Sequence, residues 1–218
     1  MTVSSPFQPD CRDCPRLAHH LDQVKIDYPD YYAQPVAPFG DPSAKLLIVG
    51  LAPGLHGANR TGRPFTGDYA GILLYRTLHK FGLASHNESV SADDPLRLID
   101  CRITNAVKCL PPANKPQPAE IRQCNTFLTT ELNNFARSGG QALLALGTIA
   151  HQAVLMALAC RNADFPFSHG AIHRVTEELR LYDSYHCSRY NTQTKRLTET
   201  MFEQIFDKIC QDMTLTNR

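Results

Sequence analysis

The apolar positions of this chain change period several times along its length. Residues 45–49 (KLLIV) form a short apolar run that predicts a strand. Across 68–81, Leu74, Leu78 and Phe81 fall at i, i+4 and i+7, one face of a helix, and Gly82 follows as its stop. A second strand is predicted at 102–107. After the proline-rich LPPANKPQP a helix opens at Pro118, a residue suited to the first helical position. Its inward stripe is Ile121, Cys124, Leu128, Leu132 and Phe135. A third strand (141–146), a helix (148–159) and a fourth strand (181–185) come next. The last helix takes Thr198 as its cap and buries Met201, Phe202, Ile205, Phe206 and Ile209. Residues 1–44, rich in Pro, Tyr and Asp, predict an irregular leading segment with room for one short helix.

Strands alternating with helices of this length imply a parallel sheet covered on both faces. The expected fold is therefore α/β: one domain spanning 1–218, in three α/β/α layers around a mostly parallel four-stranded sheet. Ligands of such sheets sit at the carboxyl ends of the strands. Three loops converge there: 50–67 after the first strand, 108–117 after the second and 186–197 after the fourth.

Composition narrows the class. With 43% apolar and 20% charged residues among 218, the chain can bury a full core. No stretch approaches the ~20 apolar residues of a membrane span. The first residues lack the basic start and apolar centre of a secretory signal, so a cytoplasmic location is expected. A net charge of +1 gives no global case for nucleic acid. Locally the balance differs. The segment 56–67 holds Arg60 and Arg63 with no acid, and 186–196 holds Arg189, Lys195 and Arg196 with none; each reads as a solvated loop or a phosphate contact.

Two features carry candidate chemistry. The first is GLAPGLHGANRTGRPFTGD (50–68), glycine-rich after a strand but without the spacing of a dinucleotide or nucleoside-triphosphate cradle. The second is the cysteine set. Eight cysteines are too sparse for a disulfide scaffold. Cys11 and Cys14 form a CxxC ahead of the first strand, Cys109 follows the second strand, and Cys124 lies on the apolar face of the next helix. By spacing, these four suit an iron–sulfur cluster, a zinc ion or, for Cys109 and Cys124, simple packing. Cys101, Cys160, Cys187 and Cys210 show no pattern and read as packing residues.

Taken together, CRDCP, GLAPGLHGANRTGRPFTGD, TNAVKCLPPANKPQPAEIRQC and SYHCSRYNTQTKRLT resemble, in order, the motifs of family 5 (type B) iron–sulfur uracil-DNA glycosylases. The resemblance spans residues 11–198. It implies a [4Fe–4S] cluster on Cys11, Cys14, Cys109 and Cys124, DNA containing uracil or related damaged bases as partner, and hydrolytic base release by a monomer. In related families an acidic or amide residue follows the leading glycine of the first loop. Here Leu51, Ala52 and Pro53 stand there, as in family 5.

The implied roles follow from the chemistry of base excision, in which the base first leaves the stack. Gly50, Ala52 and Gly54 let backbone approach a flipped pyrimidine, and His56 is placed to contact it. Phe65 offers an apolar plate, or is a core residue. The amide of Asn105 carries a donor and an acceptor matching O4 and N3–H of uracil, or caps a strand end. His186 would donate to the departing base. Asp68 replaces the missing acid of the first loop, or caps the helix it precedes. Arg60, Arg63, Arg189, Lys195 and Arg196 would pair with phosphates, Ser188 and Asn191 would fix the loop or touch phosphate, and Tyr190 would wedge into the vacated gap. His169 and His173, spaced HxxxH across a turn and short strand, read as structural. The alternative from another class is a non-catalytic iron–sulfur protein that binds DNA or senses redox state. It would need neither Asn105 nor His186.

Overall fold

A computed structural model describes residues 7–213. Helix α1 (Pro15–Asp27) and the two-residue strand β1 (Phe39–Gly40) lead into β2 (Leu46–Gly50), the short helix α2 (Ala58–Thr61) and α3 (Tyr69–Lys80). Then follow β3 (Cys101–Asn105), α4 (Pro118–Arg137), β4 (Ala142–Leu146) and α5 (Thr148–Ala157). The chain closes with β5 (Ile172–Arg174), β6 (Arg180–Ser184), α6 (Arg189–Gln193) and α7 (Glu199–Asp212).

The strands form one sheet in the order β1-β3-β2-β4-β6-β5. Its four central strands are parallel and are the four predicted from apolar runs, while β1 and β5 add antiparallel edges. The sheet is thus six-stranded rather than four-stranded. Edge strands carry weak signals for a physical reason. β1 is two residues long, and β5, the short strand expected around His173, is exposed at Ile172 and Arg174 and has no apolar run to place it in the sheet.

The central strands are apolar throughout because both faces are covered. Leu46, Ile48, Leu144 and Tyr182 face α3 and α7, meeting Leu74, Leu78, Phe202 and Phe206. Leu47, Val49, Leu143 and Leu181 face α4 and α5, meeting Leu128, Leu132, Phe135 and Val154. A third cluster packs α1, through Leu17, Leu21 and Val24, against Val107, Leu110 and Cys124. The leading segment is therefore more ordered than its composition implies: α1 runs 13 residues and joins the core.

Helix ends follow the expected chemistry. Asp68 accepts from Gly71 N at 2.8 Å, Thr198 caps α7, and Gln117 and Glu120 form a capping box around Pro118. Gly71 is required by contact as well as by the helix start: a Cβ there would lie 1.9 Å from the Phe65 carbonyl oxygen. The loops 51–67, 106–117 and 185–198 leave the carboxyl ends of β2, β3 and β6, the arrangement the strand order demands.

Candidate active site

These three loops enclose one cavity of about 430 Å³, lined by Ala52, Gly54, Phe65, Asp68, Asn105 and His186, with Ser188 and Arg189 at its edge. That volume lies in the range of small-ligand pockets and admits a flipped base.

The register of the sheet builds its floor. Gly50 ends β2 beside Asn105, which ends β3. A Cβ on Gly50 would lie 2.4 Å from Asn105 Oδ1 and 2.6 Å from the Phe65 ring, so the glycine lets amide and ring share one end of the cavity. Gly50 thus acts through its neighbours. Asn105 is only 3% exposed, and its Oδ1 has no hydrogen-bond partner among the described residues. A buried amide acceptor left unpaired is costly, and a ligand N–H would satisfy it.

Phe65 belongs to the core cluster and to the cavity wall at once, so its two sequence readings coexist. Its φ of +53° places it in the left-handed region, held there by Tyr75 Oη donating to the Pro64 carbonyl at 2.7 Å. The His186 ring stacks near it, with centroids 6.0 Å apart. Burial lowers the His186 pKa to about 4, leaving a neutral imidazole, and Asn191 Nδ2 donates to the His186 carbonyl at 2.8 Å to fix the loop. Ser188 caps α6, the short helix that follows. Ser188 and Asn191 therefore hold the histidine loop.

Asp68 caps α3 and also lines the cavity. One carboxylate oxygen caps α3. The other lies close under the loop backbone, where a Cβ on Gly57 would stand 2.5 Å away. Burial pushes its pKa up, and the N–H groups of Gly71 and Ala70 partly oppose that shift.

Two predicted contacts are corrected. Arg63 is 7% exposed; its guanidinium pairs with Asp94, donates to Ser89 Oγ at 3.1 Å and lies over the Phe39 ring. It anchors the Ser89–Asp94 loop, and its nitrogens are taken up by Asp94, Ser89 and the Ala92 carbonyl rather than left for a phosphate; the local charge of 56–67 does not reveal this distant acid. Replacing Arg63 by Ala is expected to destabilise the fold by ~2–3 kcal/mol, because the buried contacts of the guanidinium to Asp94, Ser89 and the Phe39 ring are lost together while Asp94 keeps its backbone N–H donors. Thermal unfolding checks this, and an unchanged melting temperature would contradict it. His56 is exposed, does not line the cavity, and meets Tyr31 Oη through Nδ1 at 2.8 Å. It ties the first loop to the leading segment.

The other basic residues remain accessible. Arg60 bonds the His56 carbonyl through Nε at 2.7 Å and has no acidic partner among the described residues. Arg189 lies over the ring of exposed Tyr69, Arg196 over Tyr185, and Lys195 faces solvent. Tyr190 on α6 is 70% exposed beside the cavity mouth.

Cys11, Cys14, Cys109 and Cys124 converge on a second, smaller cavity next to the first. Cys14 is the N-cap of α1, Cys109 follows β3 and Cys124 lies on α4. Burial and the proximity of the other thiols raise the Cys109 pKa to about 12, and burial raises that of Cys124 to about 11. Four thiolates are thus unfavourable here without a bound cation. No three of these sulfurs fall mutually within 4.8 Å, whereas a tetrahedral zinc site spaces its sulfurs by ~3.8 Å. Cys101 and Cys187 are fully buried, and Cys160 and Cys210 half-buried; none belongs to this set.

Two residues absent from the sequence reading bear on the site. Asn114 lines the cavity at φ +55°, a conformation Asn tolerates, but the surrounding prolines hide its direction. Lys108 is 1% exposed and bridges both cavities. Its Nζ lies within 2.9 Å of both Glu131 oxygens and 3.0 Å from the Asn105 carbonyl, and its backbone N–H meets Cys124 Sγ at 3.2 Å. Lys108→Met is expected to destabilise by ~3–5 kcal/mol, with Glu131 stranded. Denaturant unfolding measures it, and a loss below 1 kcal/mol would contradict it.

The chain is similar to known proteins in agreement with this geometry. The family model of the uracil DNA glycosylase superfamily matches residues 37–210. A type-5 uracil-DNA glycosylase of Thermus thermophilus is 46% identical over 89% of this chain and 90% of its own length. A type-5 enzyme of Pyrobaculum aerophilum is 38% identical over 93% and 88%. A type-4 uracil-DNA glycosylase of Archaeoglobus fulgidus reaches 27% over 89% and 86%. The higher identity to type 5 agrees with a first loop whose leading positions, Leu51, Ala52 and Pro53, hold no polar group. By its cavity, its loop order and these similarities, the chain belongs to the type-5 uracil-DNA glycosylases of the uracil DNA glycosylase superfamily.

Proposed function

We propose that this protein excises uracil, or a related damaged base, from DNA by hydrolysing the N-glycosidic bond and leaving an abasic site. We further infer that it acts as a monomer, in a reducing cytoplasm suited to its free thiols, with a [4Fe–4S] cluster on Cys11, Cys14, Cys109 and Cys124. The observation that carries the reading is the unpaired Asn105 amide in a cavity walled by Phe65 and His186.

The base enters flat against Phe65, and the Asn105 amide pairs with its O4 and N3–H edge. Cytosine presents the reverse pattern and is rejected. As the bond to the sugar breaks, electrons move onto the uracil ring. The neutral His186 imidazole donates a hydrogen bond near O2, and stabilisation of that charge lowers the barrier. The Asp68 oxygen not used in capping orients water toward the sugar carbon. The water hydroxyl joins that carbon, and its proton leaves with the base. Arg60, Arg189, Lys195 and Arg196 grip the flanking phosphates, while Tyr190 fills the gap in the stack.

Four soft donors from three segments fit an iron–sulfur group. Such a cluster supplies a rigid cross-link between the leading segment, the loop after β3 and α4.

A duplex with one central labelled uracil tests the reading. Release of free uracil by the iron-loaded protein is the expected result. Intact substrate with folded, iron-loaded protein would overturn it. The pH–rate profile gives a further check. Burial lowers the His186 pKa from 6.5 to about 4, so the ring stays neutral well below pH 6.5. The rate is expected to show no inflection near pH 6.5. One that vanishes in His186→Ala would show that the ring titrates normally.

A further inference from the structure

Asp183, in β6, is fully buried, and among the described residues no Lys or Arg pairs with it. Its carboxylate instead faces two imidazoles. His151 Nδ1, from α5, lies 2.7 Å from Oδ1, and His173 Nε2, from β5, lies 3.2 Å from Oδ2. A buried carboxylate needs a compensating positive charge. With no side-chain cation of fixed charge beside it, the site is neutralised by a proton, on an imidazole or on the carboxyl itself, or by a bound ion.

The second nitrogen of His151 narrows the choice. Nε2 lies 2.8 Å from the Phe165 carbonyl oxygen, which can only accept, so Nε2 carries a proton. In a neutral ring, Nδ1 is then a lone pair aimed at a carboxylate oxygen. Two acceptors face each other at that distance only with a proton or a metal ion between them. A backbone carbonyl holding the distal N–H is also how metal-ligating histidines are oriented.

We propose that His151 Nδ1, His173 Nε2 and one oxygen of Asp183 bind a divalent transition metal of the zinc class. Two imidazoles and a carboxylate are a donor set that zinc accepts. The three ligand atoms lie within 4.8 Å of one another. Tetrahedral zinc would space such atoms by ~3.4 Å, so small side-chain shifts admit it. The Phe167 and Phe165 rings pack edge-on against His151 and His173, and half-buried His173 opens a route from solvent. Asp183 lies three residues before His186, so the metal clips α5, β5 and β6 at the base of the histidine loop. The pair His169 and His173 thus divides. His169 Nδ1 accepts from Tyr185 N at 3.1 Å and supports the loop, whereas His173 is a ligand.

The test uses the full chain, purified with its iron and then equilibrated with zinc or cobalt(II) at defined free concentration. Expected is one zinc per chain beyond any held by thiolates, and cobalt bands of a nitrogen–oxygen site. His173→Gln, near the sheet edge, should lose at least about tenfold in affinity while keeping iron content and melting temperature. Equal zinc and cobalt binding by wild type and His173→Gln would overturn the proposal. So would nitrogen-15 NMR showing both His151 ring nitrogens protonated in protein saturated with zinc, for then a proton holds the charge. Base release does not enter this test, so its outcome is separable from that of the glycosylase reading.

Discussion

Asn105→Asp is expected to lower uracil release by about 10³–10⁴-fold, the largest effect of any single change in the cavity. The wild-type amide offers one donor and one acceptor on a rigid strand end, with Gly50 beneath it and its backbone carbonyl held by Lys108. A carboxylate there offers only acceptors and meets the O4 of uracil with its lone pairs. If protonated, it presents a donor whose position suits cytosine equally well. Discrimination between uracil and cytosine should therefore collapse along with the rate. Stability of an alanine variant should move the other way, because Asn105 Oδ1 has no partner among the described residues. Asn105→Ala removes an orphaned acceptor, so its melting temperature should hold or rise while activity falls. Single-turnover assays on matched uracil and cytosine duplexes, with thermal unfolding of both variants, check the pair of outcomes. A variant that keeps wild-type selectivity would remove Asn105 as the reader of the base.

His186→Ala is expected to slow base release about 10²–10³-fold, the range seen when one donor to a developing anion is deleted. The loss should fall on the chemical step, because the hydrogen bond strengthens as charge reaches the ring. Binding of uncleaved duplex should change little. The contacts that shape the loop run through the His186 backbone carbonyl, Asn191 and the Ser188 cap, and they survive the substitution. His186→Gln, which retains an N–H donor, should recover part of the rate. A fall in binding equal to the fall in rate would assign His186 to substrate grip, and an unchanged rate would remove it from the reaction.

The central sheet and its helices were legible because their signals are local. Parallel strands covered on both faces need continuous apolar runs, and Leu46–Val49 and Ala142–Leu146 display them. Helix starts were legible through Asp68, Pro118 and Thr198, which act within one turn of themselves. Placing the three loops at one edge required only strand order. The two-residue edge β1 gave no run or period, β5 was legible only as a short strand and not as a sheet edge, and α1 carried a helical period (Leu17, Leu21, Val24) inside a segment whose composition reads as irregular.

The sequence by itself determined the layered fold and the convergence of the three loops. Tertiary structure alone decided which charges face solvent and which are buried. Arg63 and Arg189 look alike in sequence, yet one meets Asp94 across 31 positions and the other meets Tyr69 at the cavity mouth. Lys108 with Glu131, and His151 with Asp183, are likewise pairs made by packing across the sheet. The reason is range. Periodicity and capping act over one turn or strand, whereas burial of a charge depends on which distant segment supplies its counter-charge.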